Sequence, residues 1–193
     1  MHEIEPFFRW RDEYRADRDP QSPFHGRTYN ELQYTQTIYN YYIHPQWDFF
    51  GSETLYAKIL YADYEEGYAI IELLGEWNDA INNDIMYLKR ELADAMTGEG
   101  ITRYILICEN VLNFHADDDS YYEEWYDDLC DEGGWVVLLN LQDHVAEEMQ
   151  TIRIDNYFHL GALYNDINWR PHKPGRIFEA IEGLVQQGEK RIY

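Results

Sequence analysis

Residues 101–161, ITRYILICENVLNFHADDDSYYEEWYDDLCDEGGWVVLLNLQDHVAEEMQTIRIDNYFHLG, decide the fold of this chain. An apolar run begins at Ile101 and predicts a strand, and the acidic turn HADDDS separates it from a helical segment. A second strand over residues 135–141 and a second helical segment follow, before a short closing strand over residues 157–160. Strand, helix, strand, helix and strand within about sixty residues indicate crossover connections onto a largely parallel sheet.

The residues before this stretch predict a hairpin and a helix. Strands are expected over residues 55–63 and 68–74, and the connection YEEG between them is a hairpin signal. A helix is expected over residues 79–96, because apolar side chains recur along one face of it. These side chains are Ile81, Ile85, Leu88, Leu92 and Met96. Further helices are expected over residues 120–131, 142–152 and 175–187. The predicted fold is therefore α/β, a mixed sheet of four to five strands with helices packed against it.

The helix after the acidic turn has its own start signal. Ser120 and Glu123 have the spacing of a capping box, which places the start of the helix near Ser120. Four side chains are expected to form its buried face: Tyr122, Trp125, Tyr126 and Leu129. In the next helix, Val145, Met149 and Ile152 are expected to face inward.

The charge of the chain limits its partners. The formal net charge is -22, from 37 acidic and 15 basic residues. Nucleic acids, anionic membranes and phosphate-rich ligands would be repelled, whereas a basic protein surface or a cation would be attracted. Solubility alone also accounts for such a charge. Two cysteines are too few for a disulfide framework, and no apolar segment reaches the length of a membrane span, so a cytoplasmic location is expected.

Residues 1–50 form an aromatic N-terminal extension ahead of a domain over residues 51–193. Pro20, Pro23 and Gly26 interrupt residues 1–27, which predicts an arm, and residues 28–43 favour extended structure. The segment is too aromatic for a free tail, so it is expected to dock on the domain or to build a homodimer. His44, Trp47 and Asp48 form either a binding corner or a packed loop anchored by its tryptophan.

The order of elements and several local landmarks resemble the STAS domain of anti-sigma-factor antagonists. AIIELLGEWND at residues 69–79 is similar to that family's strand with an apolar-Gly-acidic turn, with Gly75 and Asp79 in place. Residues 101–114 resemble the next strand, and residues 131–160 follow the helix, strand and helix plan of the family. Over residues 54–190, the resemblance implies a STAS-like domain that regulates or binds a protein and is not an enzyme.

One departure from the family bears on function. The family's D-S-S-G at the start of the second helix, which carries a regulatory serine, is replaced by Ala116 and three aspartates. A phosphorylation switch therefore does not carry over, and fixed aspartates would imitate the phosphorylated state. The predicted partner-binding residues are Asp117, Asp118, Asp119, Ser120 and Glu123.

Two alternatives from other function classes remain. The carboxylates between His115 and Glu124 could hold a divalent cation for a metal-dependent enzyme, although acids at a helix start are also expected from the helix dipole. The second alternative is a small-ligand carrier. The sequence contains no nucleophile elbow, P-loop or dinucleotide fingerprint. We therefore expect a protein that is not an enzyme and needs no cofactor.

Overall fold

The computed structural model describes residues 4–189, so the predictions for residues 1–3 and 190–193 lie outside the described part. The strands are β1 (Thr37–Ile38), β2 (Tyr41–Tyr42), β3 (Leu55–Asp63), β4 (Tyr68–Asn78), β5 (Arg103–His115) and β6 (Trp135–Leu139). The α-helices are α1 (Asp79–Asn82), α2 (Asp84–Tyr87), α3 (Asp94–Gly98), α4 (Ser120–Cys130), α5 (Asp143–Thr151) and α6 (Pro174–Glu189). A π-helical segment, Leu88–Ala93, joins α2 to α3, and 3-10 turns lie at Ile154–Asn156 and Ala162–Tyr164.

The main sheet is mixed and has the strand order β3-β4-β5-β6. The hairpin strands β3 and β4 are antiparallel, whereas β4, β5 and β6 are parallel to one another. Ile105 pairs with Val137, which confirms the prediction that the two apolar runs are neighbouring parallel strands. The predicted closing strand over residues 157–160 is wrong, because only a single bridge between Val137 and His159 forms there.

Helices cover both faces of this sheet, as the sequence predicts. Leu88, Trp125 and Val145 belong to the core between the sheet and the helices from α2 to α5. On the opposite face, Trp169 and Ile181 pack with the N-terminal arm against the sheet. Because both faces are covered, the central strands are apolar along most of their length.

The helix predicted over residues 79–96 is interrupted. Asn83 has a φ of 55°, in the left-handed region, and ends α1 after a single turn. Asparagine is one of the few residues that enter this region readily, so the chain can turn here at low cost. After the turn, Ile85 and Leu88 are buried, but Ile81 is 81% exposed. The prediction that Ile81 faces the core is therefore wrong.

Helix α4 lies close to its predicted position. Trp125 is buried, with its ring edge-on to Tyr104 and Phe158 at centroid distances of 5.3 and 5.2 Å. Tyr126, expected to be buried, is 41% exposed, because it lies on the outer side of the helix. The predicted capping box of Ser120 and Glu123 is also wrong. Asp119 is the N-cap residue and Ser120 already lies inside the helix.

The N-terminal arm packs against the domain. The Trp10 indole N–H donates to the carbonyl of His172 at 3.1 Å, and the Trp10 ring lies 5.6 Å from that of Trp169. Trp47 is fully buried and donates to the carbonyl of Ile4 at 2.7 Å, so it anchors a packed loop. The division into an extension and a domain, and a homodimer built by the extension, stay predictions.

Candidate functional site

The candidate site lies where the parallel strands β4 and β5 end. Asn78 and His115 are register partners at these two carboxyl ends. Helix α1 begins directly after β4, and the turn at residues 116–119 leads from β5 into α4. Ligands of open α/β sheets bind outside the carboxyl ends of the strands, so this edge is the first place to look for a site.

Hydrogen bonds within the acidic turn fix its shape. The Asp118 carboxylate accepts from the backbone N–H of Ser120 at 2.7 Å and from its hydroxyl at 2.6 Å. These bonds lower the pKa of Asp118 below its ordinary value. Asp119 accepts a hydrogen bond from the Tyr157 hydroxyl at 3.1 Å. The turn thus starts α4 and is tied to the loop after α5.

The structure brings the predicted partner-binding residues onto one surface. Asp117, Asp118, Ser120 and Glu123 are exposed, whereas Asp119 is half-buried. Asp127, one turn further along α4 than Glu123, is exposed on the same side. The result is an acidic surface that runs from the turn along the outer side of α4.

The inner acids of α4 have a different environment. The ammonium of Lys89 is buried and lies 2.6 Å from Asp128 and 3.3 Å from Glu124. Arg90 also reaches Glu124, at 2.7 Å. Both basic residues also pair with Asp94, at 2.8 and 3.0 Å, so two cations are shared among three carboxylates. The acids on the side of α4 that faces the π-helical segment are therefore ion-paired, whereas its outer side stays negative.

A half-buried carboxylate, Asp79, lies beneath the acidic turn. One oxygen of Asp79 accepts from the Trp77 indole at 3.0 Å and from the Ile85 backbone N–H at 2.7 Å. The other accepts from the Tyr122 hydroxyl, in α4, at 2.5 Å. Burial nevertheless raises the pKa of Asp79 to about 7. This bond connects the end of β4 to the first turn of α4.

A fully buried carboxylate, Asp84, ties the loop before β3 to the end of β4. Asp84 is fully buried and accepts from the Asn78 backbone N–H at 2.7 Å and from the Thr54 hydroxyl at 3.1 Å. Burial raises the pKa of Asp84. The Thr54 oxygen in turn accepts from the Asn82 side chain at 3.0 Å.

Metal ligands and thiols are two further kinds of chemical group that bear on the site. Within residues 4–189, no group of three or more His, Cys, Asp or Glu side chains is placed to hold a metal ion. The Cys108 thiol is fully buried, and burial raises its pKa, which suppresses the thiolate. In the described part of the chain, no helix is both long and apolar enough to cross a membrane.

Sequence reasoning missed the buried part of this site. Asp84 falls inside the helix predicted over residues 79–96 and is given no separate role there, and Tyr122 is predicted only as part of the buried face of the helix after the acidic turn. The segment WNDAINNDI does contain a signal, because Asn-Asp occurs at residues 78–79 and again at 83–84. Asparagine favours helix caps and left-handed turns, so the repeat indicates two short helices with an aspartate at each start.

The structure confirms the predicted α/β fold, a mixed four-stranded sheet with helices packed against it. Among solved structures, the chain is similar to the anti-sigma factor antagonist SpoIIAA in its unphosphorylated form, at 13% identity and a TM-score of 0.47, over 66% of this chain and 96% of that one. It is also similar to a candidate anti-sigma factor antagonist from Thermotoga maritima, at 15% identity and a TM-score of 0.43, over 67% of this chain and 92% of that one.

A third similar structure is the Bacillus cell fate determinant SpoIIAA in its phosphorylated form, at 15% identity and a TM-score of 0.38, over 55% of this chain and 91% of that one. No family model and no curated protein matches the chain. The three TM-scores lie below 0.5, so the function has to be inferred from the residues of this chain.

Proposed function

We propose that this protein is a non-catalytic, cytoplasmic regulatory domain that binds a basic surface of a protein partner through its acidic turn and α4. One observation carries the proposal: the acids of α4 are divided between its two sides. Those on the inner side, Glu124 and Asp128, are ion-paired with Lys89 and Arg90. Within residues 4–189, the exposed acids on the outer side form no ion pair; they are Asp117, Asp118, Glu123 and Asp127.

Unneutralised like charges on one turn and one helix repel each other, and a basic partner would relieve that repulsion. Such a charged surface speeds association with an oppositely charged partner and rejects partners of the same sign. The aspartates stand at the N-terminus of α4, where negative charge interacts favourably with the helix dipole. Their charge needs no kinase, so the binding state is permanent.

The experiment is a charge-neutralised variant measured against the partner. Partners would first be cross-linked in an extract of the native cell, and the purified partner would then be titrated calorimetrically. The variant D117N/D118N/E123Q should bind at least tenfold more weakly, a loss of about 1.4 kcal/mol. Asparagine also caps helices, so α4 should remain folded.

A matched control removes charge at the opposite end of the sheet. Glu65 and Glu66 are exposed in the turn between β3 and β4, so E65Q/E66Q is a comparable neutralisation away from the site. The control should bind like the wild type. In addition, raising the salt concentration should weaken wild-type binding more than it weakens binding of the neutralised variant. Equal affinities for the two variants would reject the acidic surface as the binding surface.

A small-ligand carrier is a second candidate because of one cavity. A partly enclosed space of about 220 Å³ lies between the N-terminal arm and β3. Aromatic, basic and acidic side chains line it: Phe7, Trp10, Tyr14, Arg11, Arg15, Lys58, Asp17 and Glu31. The three basic groups already pair with Glu5, Asp17 and Asp48, so an anionic ligand would have to share them. A cavity of ~150 Å³ holds benzene, so a small aromatic acid such as benzoate would fit here by size. Benzoate should raise the melting temperature of the wild type but not of Arg11→Gln; no shift with either protein would remove this candidate.

A further inference from the structure

A groove lies beside the candidate site, between the β1–β2 hairpin and α1. Its volume is about 510 Å³, within the ~300–1,000 Å³ typical of ligand sites. Three of its lining side chains are large, apolar or aromatic, and exposed: Tyr39 at 62%, Phe49 at 43% and Ile81 at 81%. Single exposed apolar residues are common, but several around one concave surface indicate an interaction site.

The conformation of Tyr39 adds to this observation. Tyr39 has a φ of 53°, in the left-handed region that bulky side chains rarely adopt. Its hydroxyl donates a hydrogen bond to the Glu76 carboxylate, which holds the ring at the edge of the groove. Backbone strain of this kind collects at binding sites, and here it presents an aromatic ring to solvent.

The charges around the groove define what it would accept. Glu53 lines it, and Glu76 lies at its edge beside Tyr39. Among residues 4–189, no basic side chain lines the groove. A second copy of this chain would bring another acidic edge and a net charge of -22, so it is a poor occupant.

The floor of the groove is continuous with the candidate site. Asn78 and Asn82 line the groove, and both belong to the hydrogen-bond network around Asp84. Asn78 also pairs with His115, the residue at which β5 ends before the acidic turn. A single partner can therefore contact the groove and the acidic turn at the same time.

We propose that this groove binds a short segment of a protein partner that carries an apolar side chain next to a lysine or arginine. The apolar side chain packs between Tyr39, Phe49 and Ile81, and the basic group pairs with Glu53 or Glu76. The inference deepens the proposed function and rests on it, because it adds a second contact to the same partner.

The test uses the full chain and a library of synthetic nine-residue peptides. One half of the library has lysine or arginine next to a variable apolar position, and the other half has glutamate in place of the basic residue. The wild type should select peptides with both features. Ile81→Ser and Tyr39→Asn should each reduce the affinity for the selected peptides at least tenfold. Asparagine accepts the left-handed conformation, so the hairpin should keep its shape.

Leu163→Ser is the matched control, because it also removes an exposed apolar side chain, 47% exposed, and lies outside the groove. It should bind the selected peptides like the wild type, and urea unfolding should show that all three variants remain folded. Wild-type selection of no peptide, or of acidic and basic peptides alike, would overturn the proposal. So would equal peptide binding by Ile81→Ser and Leu163→Ser.

The D117N/D118N/E123Q variant separates this proposal from the proposed function. If that variant loses the partner protein while the groove variants keep it, the acidic surface binds the partner and the groove proposal fails. If peptide binding depends on Ile81 while the neutralised turn leaves partner affinity unchanged, the groove is a binding site and the proposed role of the turn fails.

Discussion

Replacing Glu72 by glutamine should stabilise the protein much more at pH 8 than at pH 5. Glu72 lies in β4 beneath the N-terminal arm and is 2% exposed. Its carboxylate accepts a hydrogen bond from the Phe7 backbone N–H at 2.8 Å. Burial raises its pKa from 4.5 to about 7, while Arg170 lowers the pKa and Glu109 raises it.

The sign of the effect follows from the raised pKa. The folded state holds the Glu72 proton more tightly than the unfolded state, so folding is favoured where the group is protonated in both states. That contribution is complete below pH 4.5 and is lost as the pH rises through about 7. The difference between a pKa of 4.5 and one of about 7 corresponds to about 3 kcal/mol of unfolding free energy. Most of this stability is lost between pH 5 and pH 8.

Urea unfolding of the wild type and of Glu72→Gln at both pH values measures this difference. Glutamine keeps an oxygen that can accept from Phe7, so the arm should stay docked. The gain in unfolding free energy on substitution should be about 2–3 kcal/mol larger at pH 8 than at pH 5. Subtracting the wild type from the variant at each pH cancels the contribution of other carboxylates, such as Asp79, because it is the same in both proteins. A gain that does not depend on pH would mean that solvent reaches Glu72, and the docked arm would then be refuted.

Three further substitutions test the core and the network around the site. Trp125→Ala should cost about 3–5 kcal/mol in urea unfolding, because it leaves a large cavity; a loss below ~1 kcal/mol would place the ring at the surface. Lys89→Met should cost about 1.5–3 kcal/mol, since its charged hydrogen bonds to α4 are lost, and an unchanged unfolding midpoint would contradict the buried ammonium. Tyr122→Phe removes a donor to Asp79 and should cost about 1–3 kcal/mol. That loss should be larger at pH 8 than at pH 5, because the missing bond stabilises the ionised carboxylate; the opposite pH dependence would contradict it.

The parts of the fold that the sequence predicts well are those determined by local patterns. Strands β5 and β6 are covered on both faces, so they appear as continuous apolar runs, and Trp125 lies in an amphipathic helix with a regular period. The exposed Ile81 could not be predicted in this way. Its apolar side chain fits the periodicity of a long helix, but the left-handed Asn83 breaks the period just after it.

Local patterns also predict some residues of the candidate site and not others. The acids of the turn could be predicted because they are consecutive and lie before a helix. The bond from Thr54 to Asp84 joins residues 30 positions apart, and the bond from Tyr122 to Asp79 joins residues 43 positions apart. Contacts of this kind depend on how the strands are paired and on where the helices pack, and no local pattern encodes either.

The carboxylates of Asp118 and Asp79 should respond to pH in different ranges. Hydrogen bonds from Ser120 keep the pKa of Asp118 below its ordinary value, so its charge stays constant near neutral pH. Burial raises the pKa of Asp79 to about 7, so its charge changes close to neutral pH. The Asp79 contribution to stability should therefore fall as the pH rises from 6 to 8, while the charge of Asp118 stays the same. A partner affinity that follows the ionisation of Asp79 over that interval would show that the hydrogen bond through Tyr122 affects binding.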